Sequence, residues 1–311
     1  MELTSTKVIK NLLKKYQAAP LKGLGQNFLI DKSVLRKIIE SAALKPSDIV
    51  LEIGPGIGTL TQELAKKVKK VIAVEKDRKM IEILREMLEG LPRTEPKVLV
   101  RGWNVRNVEI IRGDILKLDP KPYALKPYKV VANLPYYIVS PVIRKFLESK
   151  NPPKEMILMV QKEVAKRICA KPPKMSILAV SVQFYAKTEI LFYVSKNSFW
   201  PRPKVDGAVI KIVPKEPSTR PGLVVNKNLF FKVVRAGFSQ PRKQLCNNLA
   251  KMLALSLPNE VKLDKPSQIL RNKTWAGKEG VKKWLLKNKI NPTQRAETLE
   301  IKDWLNLTRT Y

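Results

Sequence analysis

The chain has 311 residues, 60 Lys and Arg against 27 Asp and Glu, a formal net charge of +33 and no histidine. The length is about twice that of an ordinary domain, and an apolar content of 44% is enough for a full core and argues against wholesale disorder. The missing histidines exclude a Ser-His-Asp triad, a Cys-His pair and any His-ligated metal, and Cys169 and Cys246 alone cannot make a four-thiolate zinc site or a disulfide framework.

The N-terminal stretch Met1–Lys15 carries scattered charges, not an apolar run, so no signal peptide is expected. From Ser33 to Ala43 the residues Val34, Leu35, Ile38 and Ile39 recur at helical spacing, behind Asp31 or Ser33 as N-cap. Ile49 to Ile53 reads as a buried strand that runs straight into Gly54, Gly56 and Gly58. Thr59–Lys70 is helical by spacing, Val71–Glu75 a second strand, Lys79–Leu88 a helix, and Val108–Ile111 and Tyr128–Ala132 further strands. Ile143–Glu148 is helical and Glu155–Val160 is a fifth strand. Strands alternating with helices predict a parallel sheet with crossover helices. Leu91–Asn107 interrupts the rhythm and reads as an inserted loop or hairpin. The apolar run Ile177–Ala186 is broken by Ser181 and Gln183 and is too short to span a bilayer. Two more strand-like runs follow, Glu189–Val194 and Gly207–Val213, on either side of the Pro-rich Ser198–Lys204. The Pro/Ser stretch Pro214–Gly222 is the expected domain boundary, dividing 1–220 from 221–311. Beyond it Leu229–Leu257 and Lys278–Lys289 are helical by period, with no strand signal.

The charge is not confined to a tail. Residues 1–220 hold 42 basic and 21 acidic residues, and residues 221–311 hold 18 and 6. A lysine-rich background would give the same totals. A surplus of this size repels itself unless a polyanion screens it, and it lies on segments with regular apolar periodicity, so nucleic acid contacted by folded surfaces is the expected partner.

The sharpest local signal is Leu51-Glu52-Ile53-Gly54-Pro55-Gly56-Ile57-Gly58-Thr59, a strand that ends in closely spaced glycines before a helix. Glycines let the backbone turn sharply and approach a ligand that a Cβ would repel, although a tight structural turn would use them too. About 20 residues on, the next strand ends at Glu75, where a carboxylate can take both hydroxyls of a ribose. Loop and carboxylate together favour an adenosine-containing cofactor. Gly113-Asp114 follows the third strand, where Asp114 can accept from an adenine amino group or cap a turn. Most specific is Asn133-Leu134-Pro135-Tyr136-Tyr137 after the fourth strand. An Asn side-chain carbonyl, a Pro-constrained backbone carbonyl and an aromatic face suit a planar base with an exocyclic amine. Accepting both amine hydrogens aims the nitrogen lone pair at an electrophile, chemistry that needs positioning more than a strong base.

Taken together, these residues resemble the S-adenosylmethionine-dependent ribosomal RNA adenine N6,N6-dimethyltransferases. The likeness starts at Leu24-Gly25-Gln26-Asn27-Phe28-Leu29 and runs through the motifs above. It continues in Met159–Val164, Phe199–Val205, Phe238-Ser239-Gln240-Pro241-Arg242-Lys243 and Pro292–Leu299, which looks like the family's closing helix segment. The resemblance implies an α/β fold: a Rossmann-like class I methyltransferase sheet with helices on both faces over 1–220, plus a small all-α RNA-binding domain over 221–311. It implies that Asn27 and Leu29 close over S-adenosylmethionine, Gly54 and Gly56 lie against its methionine portion, Glu75 holds its ribose, and Asp114 with Ile115 its adenine. Asn133 would sit between the cofactor and the target amine, with Leu134, Pro135 and Tyr136 completing the catalytic motif. Tyr136 would stack on the flipped adenine, Phe238 on its other side, and Arg242 and Lys243 would meet RNA. Pro241 stands where many relatives carry another Arg, and the segments Leu91–Asn107 and 272–283 look longer than usual.

The implied reaction is dimethylation of two adjacent adenosines near the 3′ end of 16S-type small-subunit ribosomal RNA. The implied setting is ribosome biogenesis on a pre-30S-type particle, by a cytoplasmic monomer that needs no metal and no membrane. Two alternatives share the glycine loop: a large-subunit enzyme of the macrolide-resistance type, and a non-catalytic nucleic-acid-binding factor derived from the family. The Asn-Leu-Pro-Tyr form, Phe199–Val205 and Arg295-Ala296-Glu297 favour the small-subunit enzyme, and the intact cofactor residues speak against the non-catalytic factor.

Overall fold

The computed structural model describes residues 2–21, 23, 25–89, 103–105, 107–118, 127–215, 225–255 and 277–311. The chain forms two compact units, the first from Met1–Lys166 with Lys187–Pro214, the second from Arg167–Ala186 with Lys215–Tyr311.

In chain order the first unit contains α1 (Thr6–Lys15), β1 (Phe28–Leu29), α2 (Lys32–Ser41), β2 (Ile49–Ile53), α3 (Thr59–Ala65), β3 (Lys70–Glu75), α4 (Arg78–Glu89), β4 (Trp103–Val105), β5 (Val108–Arg112), β6 (Tyr128–Asn133), α5 (Val139–Glu148) and β7 (Glu155–Gln161). Helix α6 (Lys162–Ile168) leads into the second unit, which holds α7 (Ile177–Gln183). The first unit is completed by β8 (Ala186–Val194), β9 (Phe199–Trp200) and β10 (Gly207–Pro214). The main sheet runs β4-β5-β3-β2-β6-β7-β10-β8.

Its centre is parallel: β2 lies between β3 and β6 in the registers Ile49↔Lys70 and Ile49↔Tyr128. Parallel strands covered on both faces read as near-continuous apolar runs, and Val50, Leu51 and Ile53 are all buried. Alternate residues divide between the faces. Val71, Ala73 and Val131 join Val34 and Ile38 of α2, Leu60 and Leu64 of α3, and Leu84 and Leu88 of α4 in one core. On the other face Tyr128 meets Phe146 of α5 edge-on, ring centroids 6.5 Å apart.

The strand–helix alternation predicts a parallel sheet, but the sheet is only partly so. β10 pairs antiparallel with β7, and β4 with β5. The β4–β5 pair makes one arm of the 91–107 segment a hairpin strand; the rest of that segment apart from Asn107, together with Leu24, 216–222 of the boundary stretch and 272–276, lies outside the described residues. Helix α3 ends at Ala65, not Lys70, because Lys70 already pairs with Ile49. The N-cap of α2 is Asp31, whose carboxylate accepts from the Ser33 and Val34 amides.

The second unit is helical, adding α8 (Lys227–Gly237), α9 (Leu245–Leu255), α10 (Gly277–Lys287) and α11 (Ile301–Thr310). The periodicity predicts one helix over 229–257, but the chain breaks at 238–244, where Pro241 has no amide hydrogen to continue a helix. Pro292–Leu299 is not a helix either: it holds a 3₁₀ turn at Ala296–Thr298, and α11 starts at Ile301 with the Glu300 amide on the Asp303 carboxylate at 2.8 Å. A cut at 220 assigns 167–186 to the first domain. In the structure Met175, Ala179, Val180 and Phe184 instead belong to the helical core with Phe230, Trp284 and Trp304, because they are the apolar face that core buries.

Candidate active site

The carboxyl ends of β2, β3, β5 and β6 converge, and each carries one of the motifs: Gly54–Gly58 after β2, Glu75 ending β3, Gly113-Asp114 after β5, Asn133 ending β6. In an open α/β sheet this edge is where ligands bind. An open cleft lies there, enclosing about 1250 Å³ with the solvent at its mouth. Asn27, Leu29, Gly54, Gly56, Glu75, Asp114, Ile115, Asn133, Leu134, Pro135 and Tyr136 all line it.

The glycine loop is left-handed at Gly54, Gly56 and Gly58, with φ of 67°, 57° and 94°. At Gly56 a Cβ would also come within 3.4 Å of the Phe28 ring. Glu75 holds this loop. Its Oε2 accepts from the Gly56 amide at 3.0 Å, and its Oε1 accepts from Lys76 and Asp77 at 2.8 and 2.9 Å. Burial pushes its carboxyl above the usual range, against those three amides. Oε1 already accepts two bonds, whereas Oε2 accepts one and keeps a lone pair for a hydroxyl donor.

Glu52, one strand over, is 2% exposed, lines the same cleft, and its Oε2 has no hydrogen-bond partner. Burial pushes its carboxyl up to about 8, and the charge of Glu75 adds to the shift. A buried, unpartnered carboxyl oxygen beside a glycine loop is a place for a donor group of a ligand. Asp114 accepts from the Leu116 amide at 3.0 Å and meets Lys76 Nζ at 3.1 Å. The Leu116 amide holds its carboxyl low against burial, helped by Lys76.

Asn133 Nδ2 donates to the Asn27 backbone carbonyl at 3.3 Å, and Asn27 Nδ2 donates to the Gly25 carbonyl at 3.0 Å. With its nitrogen committed, Asn133 offers Oδ1 as an acceptor. The Pro135 carbonyl accepts from Ile138 within the 3₁₀ turn Tyr136–Ile138, whereas the Leu134 carbonyl meets no donor among the described residues. Leu134 O and Asn133 Oδ1, on consecutive residues that both line the cleft, are thus the two candidate acceptors. Tyr136 beside them is half-buried, and burial raises its phenol so that it stays neutral. A pair of acceptors and an aromatic ring suit a planar amine-bearing base. The carboxylates and glycine loop suit an adenosine ligand with a donor-bearing tail.

Several residues at or beside the cleft, some of them inside the quoted motifs, receive no role from the sequence. Lys76 and the exposed Tyr137 immediately follow Glu75 and Tyr136 and lie within reach of it. Phe28 stacks on Trp200 at 6.5 Å across the two-stranded β1–β9 sheet, a pairing between residues with no sequence proximity.

Phe238, Arg242 and Lys243 belong to the second unit. Phe238 stacks on Trp304 at 5.5 Å and packs against the helical core. Arg242 and Lys243 are exposed on the turn between α8 and α9. The buried Asn248 holds that turn by donating to the Gly237 and Gln240 carbonyls at 2.7 and 3.0 Å.

The family model described as ribosomal RNA adenine dimethylase matches residues 21–273. The chain is 42% identical over 304 residues to the ribosomal RNA small subunit methyltransferase A of Dehalococcoides mccartyi (97% of this chain, 92% of the relative). It is 38% identical to the protein of the same name from Alkaliphilus metalliredigens (99% and 97%). Among solved structures, a dimethyladenosine transferase from Plasmodium falciparum matches with a TM-score of 0.67 at 29% identity, covering 90% of this chain and 95% of that one. The 23S rRNA methyltransferase ErmE, at 24% identity over 91% and 99% with a TM-score of 0.65, shares the fold. With a family model spanning most of its length and relatives above a third identical end to end, this chain belongs to the ribosomal RNA adenine dimethylase family.

Proposed function

We propose that this protein transfers methyl groups from S-adenosylmethionine to N6 of adenosines in small-subunit ribosomal RNA, two adjacent adenosines near its 3′ end, during biogenesis of the subunit. The observation that carries the reading is the fixed Asn133 amide. Its nitrogen donates to the Asn27 carbonyl, which leaves its oxygen as an acceptor, and both Asn133 and Leu134, whose carbonyl meets no donor among the described residues, line a cleft with a glycine loop. Two acceptors take the two hydrogens of an adenine amine and leave its lone pair for attack; no histidine is needed.

When bound, S-adenosylmethionine supplies an electrophilic methyl group on a sulfonium. Glu75 takes the ribose hydroxyls, Asp114 and Ile115 the adenine, Gly54 and Gly56 admit the methionine portion, and Glu52 accepts a donor from it. Asn27 and Leu29 cover the site, and Tyr136 stacks on the flipped base. In the second unit the Arg242-Lys243 turn contacts RNA phosphates, and Phe238 supports the turn through Trp304. The protein acts as a monomer in the cytoplasm on a pre-30S-type particle. Among the described residues no helix is long and apolar enough to cross a membrane.

The full-length relatives named for the small subunit favour that substrate over a large-subunit one. The test is methyl transfer from labelled S-adenosylmethionine to small-subunit particles of a strain lacking this modification. N6,N6-dimethyladenosine in the small-subunit RNA is expected. Label in naked large-subunit RNA only, or in neither, would overturn the reading.

A further inference from the structure

Helix α1 carries a charge pattern unlike the other helices of the first unit. Its buried face, Ile9, Leu12 and Leu13, packs in one cluster with Phe28 and Ile57, both of which line the cleft. The helix is therefore seated on the outer side of the cleft wall. Its exposed face is Lys7, Lys10, Asn11 and Lys14, with no acidic residue anywhere in the helix.

Cations three and four residues apart repel one another, and Lys7 in the first turn opposes the helix dipole. Three other helices of this unit each hold an ion pair of their own. Arg36 pairs with Glu40 in α2 at 3.7 Å, Arg78 with Glu82 in α4 at 3.1 Å, and Arg144 with Glu148 in α5 at 3.3 Å. In α1 only Lys15 finds a carboxylate, that of Glu86. Lys7, Lys10 and Lys14 pair with none among the described residues, and the nearby Glu2 is taken by Lys32 at 2.8 Å. Helix α2 keeps one carboxylate, Glu40, against Lys32, Arg36 and Lys37, and α5 keeps Glu148 against Arg144 and Lys145, whereas α1 sets four lysines against no carboxylate of its own. Lys10 is held over the Trp200 ring at 5.7 Å, and Trp200 stacks on Phe28, so the middle cation is tied to the cleft wall. Lys7 and Lys14 flank it over about 10 Å of helix axis, a length along which a polynucleotide presents successive phosphates.

We propose that the Lys7–Lys10–Lys14 face of α1 is a phosphate-binding surface that holds the backbone of substrate RNA, separate from the Arg242-Lys243 turn. The assignment rests on the reading of the protein as a ribosomal RNA methyltransferase. Lysine suits such a surface because its ammonium is a compact point charge for phosphate, and phosphate contacts add affinity without sequence preference. An anionic membrane is disfavoured as the partner, because the apolar face that would enter lipid is buried in the core.

The test compares the full-length protein with Lys7→Gln/Lys10→Gln/Lys14→Gln. Binding to unmethylated small-subunit particles is measured across salt concentrations, with an S-adenosylmethionine titration and melting temperature alongside. Three lost phosphate contacts should weaken binding at least tenfold at about 0.1 M salt and lower the slope of log affinity against log salt by about 2 to 3. Cofactor affinity should be unchanged. Single Lys7→Gln and Lys14→Gln variants, which break no contact within the fold, should each lower the slope by about 1. An unchanged affinity and slope, with a wild type that binds and methylates normally, would overturn the surface while leaving the methyltransferase reading intact. A loss seen only on vesicles of phosphatidylglycerol, with particle binding preserved, would also overturn it. A wild type that binds cofactor but neither binds nor methylates the particle would remove the underlying reading and this one with it.

Discussion

At the scale of single residues, the hydrogen bond from Asn133 to the Asn27 carbonyl decides which end of the amide is offered to a substrate. Asn133→Ala should therefore abolish methyl transfer and lower cofactor affinity only modestly. RNA binding should persist, because phosphate contacts by many Lys and Arg supply most of it; loss of RNA affinity in step with activity would contradict the assigned role. Glu75 invites a different variant. Alanine would leave the Gly56, Lys76 and Asp77 amides without their acceptor, mixing a stability loss into any binding measurement. Glu75→Gln keeps an acceptor for the loop and should still weaken S-adenosylmethionine by roughly 1–3 kcal/mol in calorimetry. Glu52 carries a pH signature. Its folded carboxyl titrates near 8, above its ordinary 4.5, so between those values the native state binds more protons than the unfolded chain and stability falls as pH rises. Relative to Glu52→Gln, the wild type should lose roughly 1 kcal/mol per pH unit across that window in denaturant titrations. Equal slopes in the two proteins would show that the carboxyl ionises freely. The places of Glu75, Asp114 and Asn133 on the cleft are legible in the sequence because Glu75 and Asn133 end strands and Asp114 lies two residues past one, each beside a recognisable turn. The Asn27–Asn133 bond is not, since it joins backbone to side chain across 106 positions.

At the scale of elements, seven strands of the first unit, β2, β3, β5, β6, β7, β8 and β10, are legible from apolar runs between turn signals, and their ends fall within a few residues. What the pattern cannot show is pairing. β10 lies between β7 and β8 and runs antiparallel to β7, a choice made by contacts distant in sequence. Helix α1 is obscured because its four lysines equal its apolar residues in number, although Ile9, Leu12 and Leu13 have helical spacing. The α8–α9 break is hidden by continuous periodicity on both sides of Pro241. Lys129 is another hidden feature: a buried cation beside the apolar run Val130–Ala132 of β6. Its ammonium donates to the Ala42 and Ala43 carbonyls at 2.8 Å each, at the end of α2, and meets Glu155 at 2.9 Å and Asp48 at 3.2 Å. Burial alone would push the Glu155 carboxyl up, but bonds from Lys211 and Lys129 outweigh it and hold it low. Lys129→Met would leave two buried carboxylates and two carbonyls under-satisfied, and should cost about 3–5 kcal/mol in chemical unfolding. A change under about 1 kcal/mol would mean water already solvates the cluster.

At the scale of the molecule, a net +33 on a folded chain is the feature that most needs a partner. The sequence suggests testing the partner by deleting residues from about 223 onward, but the structure argues against that variant. Val180 and Phe184 belong to the same core as Phe230, Trp284 and Trp304, so the deletion would expose an apolar face upstream of the cut and report misfolding as lost binding. Arg242→Gln with Lys243→Gln avoids this. Both side chains are exposed, and the turn that carries them is held by Asn248 and capped by Phe238 on Trp304, none of which the double variant touches. Particle binding should weaken and its salt slope fall by about 2, since each neutralised phosphate contributes about 0.9 on duplex and about 0.7 on single strands. Cofactor affinity should not move, because every residue assigned to the cofactor lies in the first unit. A wild type whose binding ignores salt would show that the surplus charge is not the RNA-binding term. A double variant with full affinity and slope would shift the phosphate contacts to other cations, with the lysine face of α1 next in line.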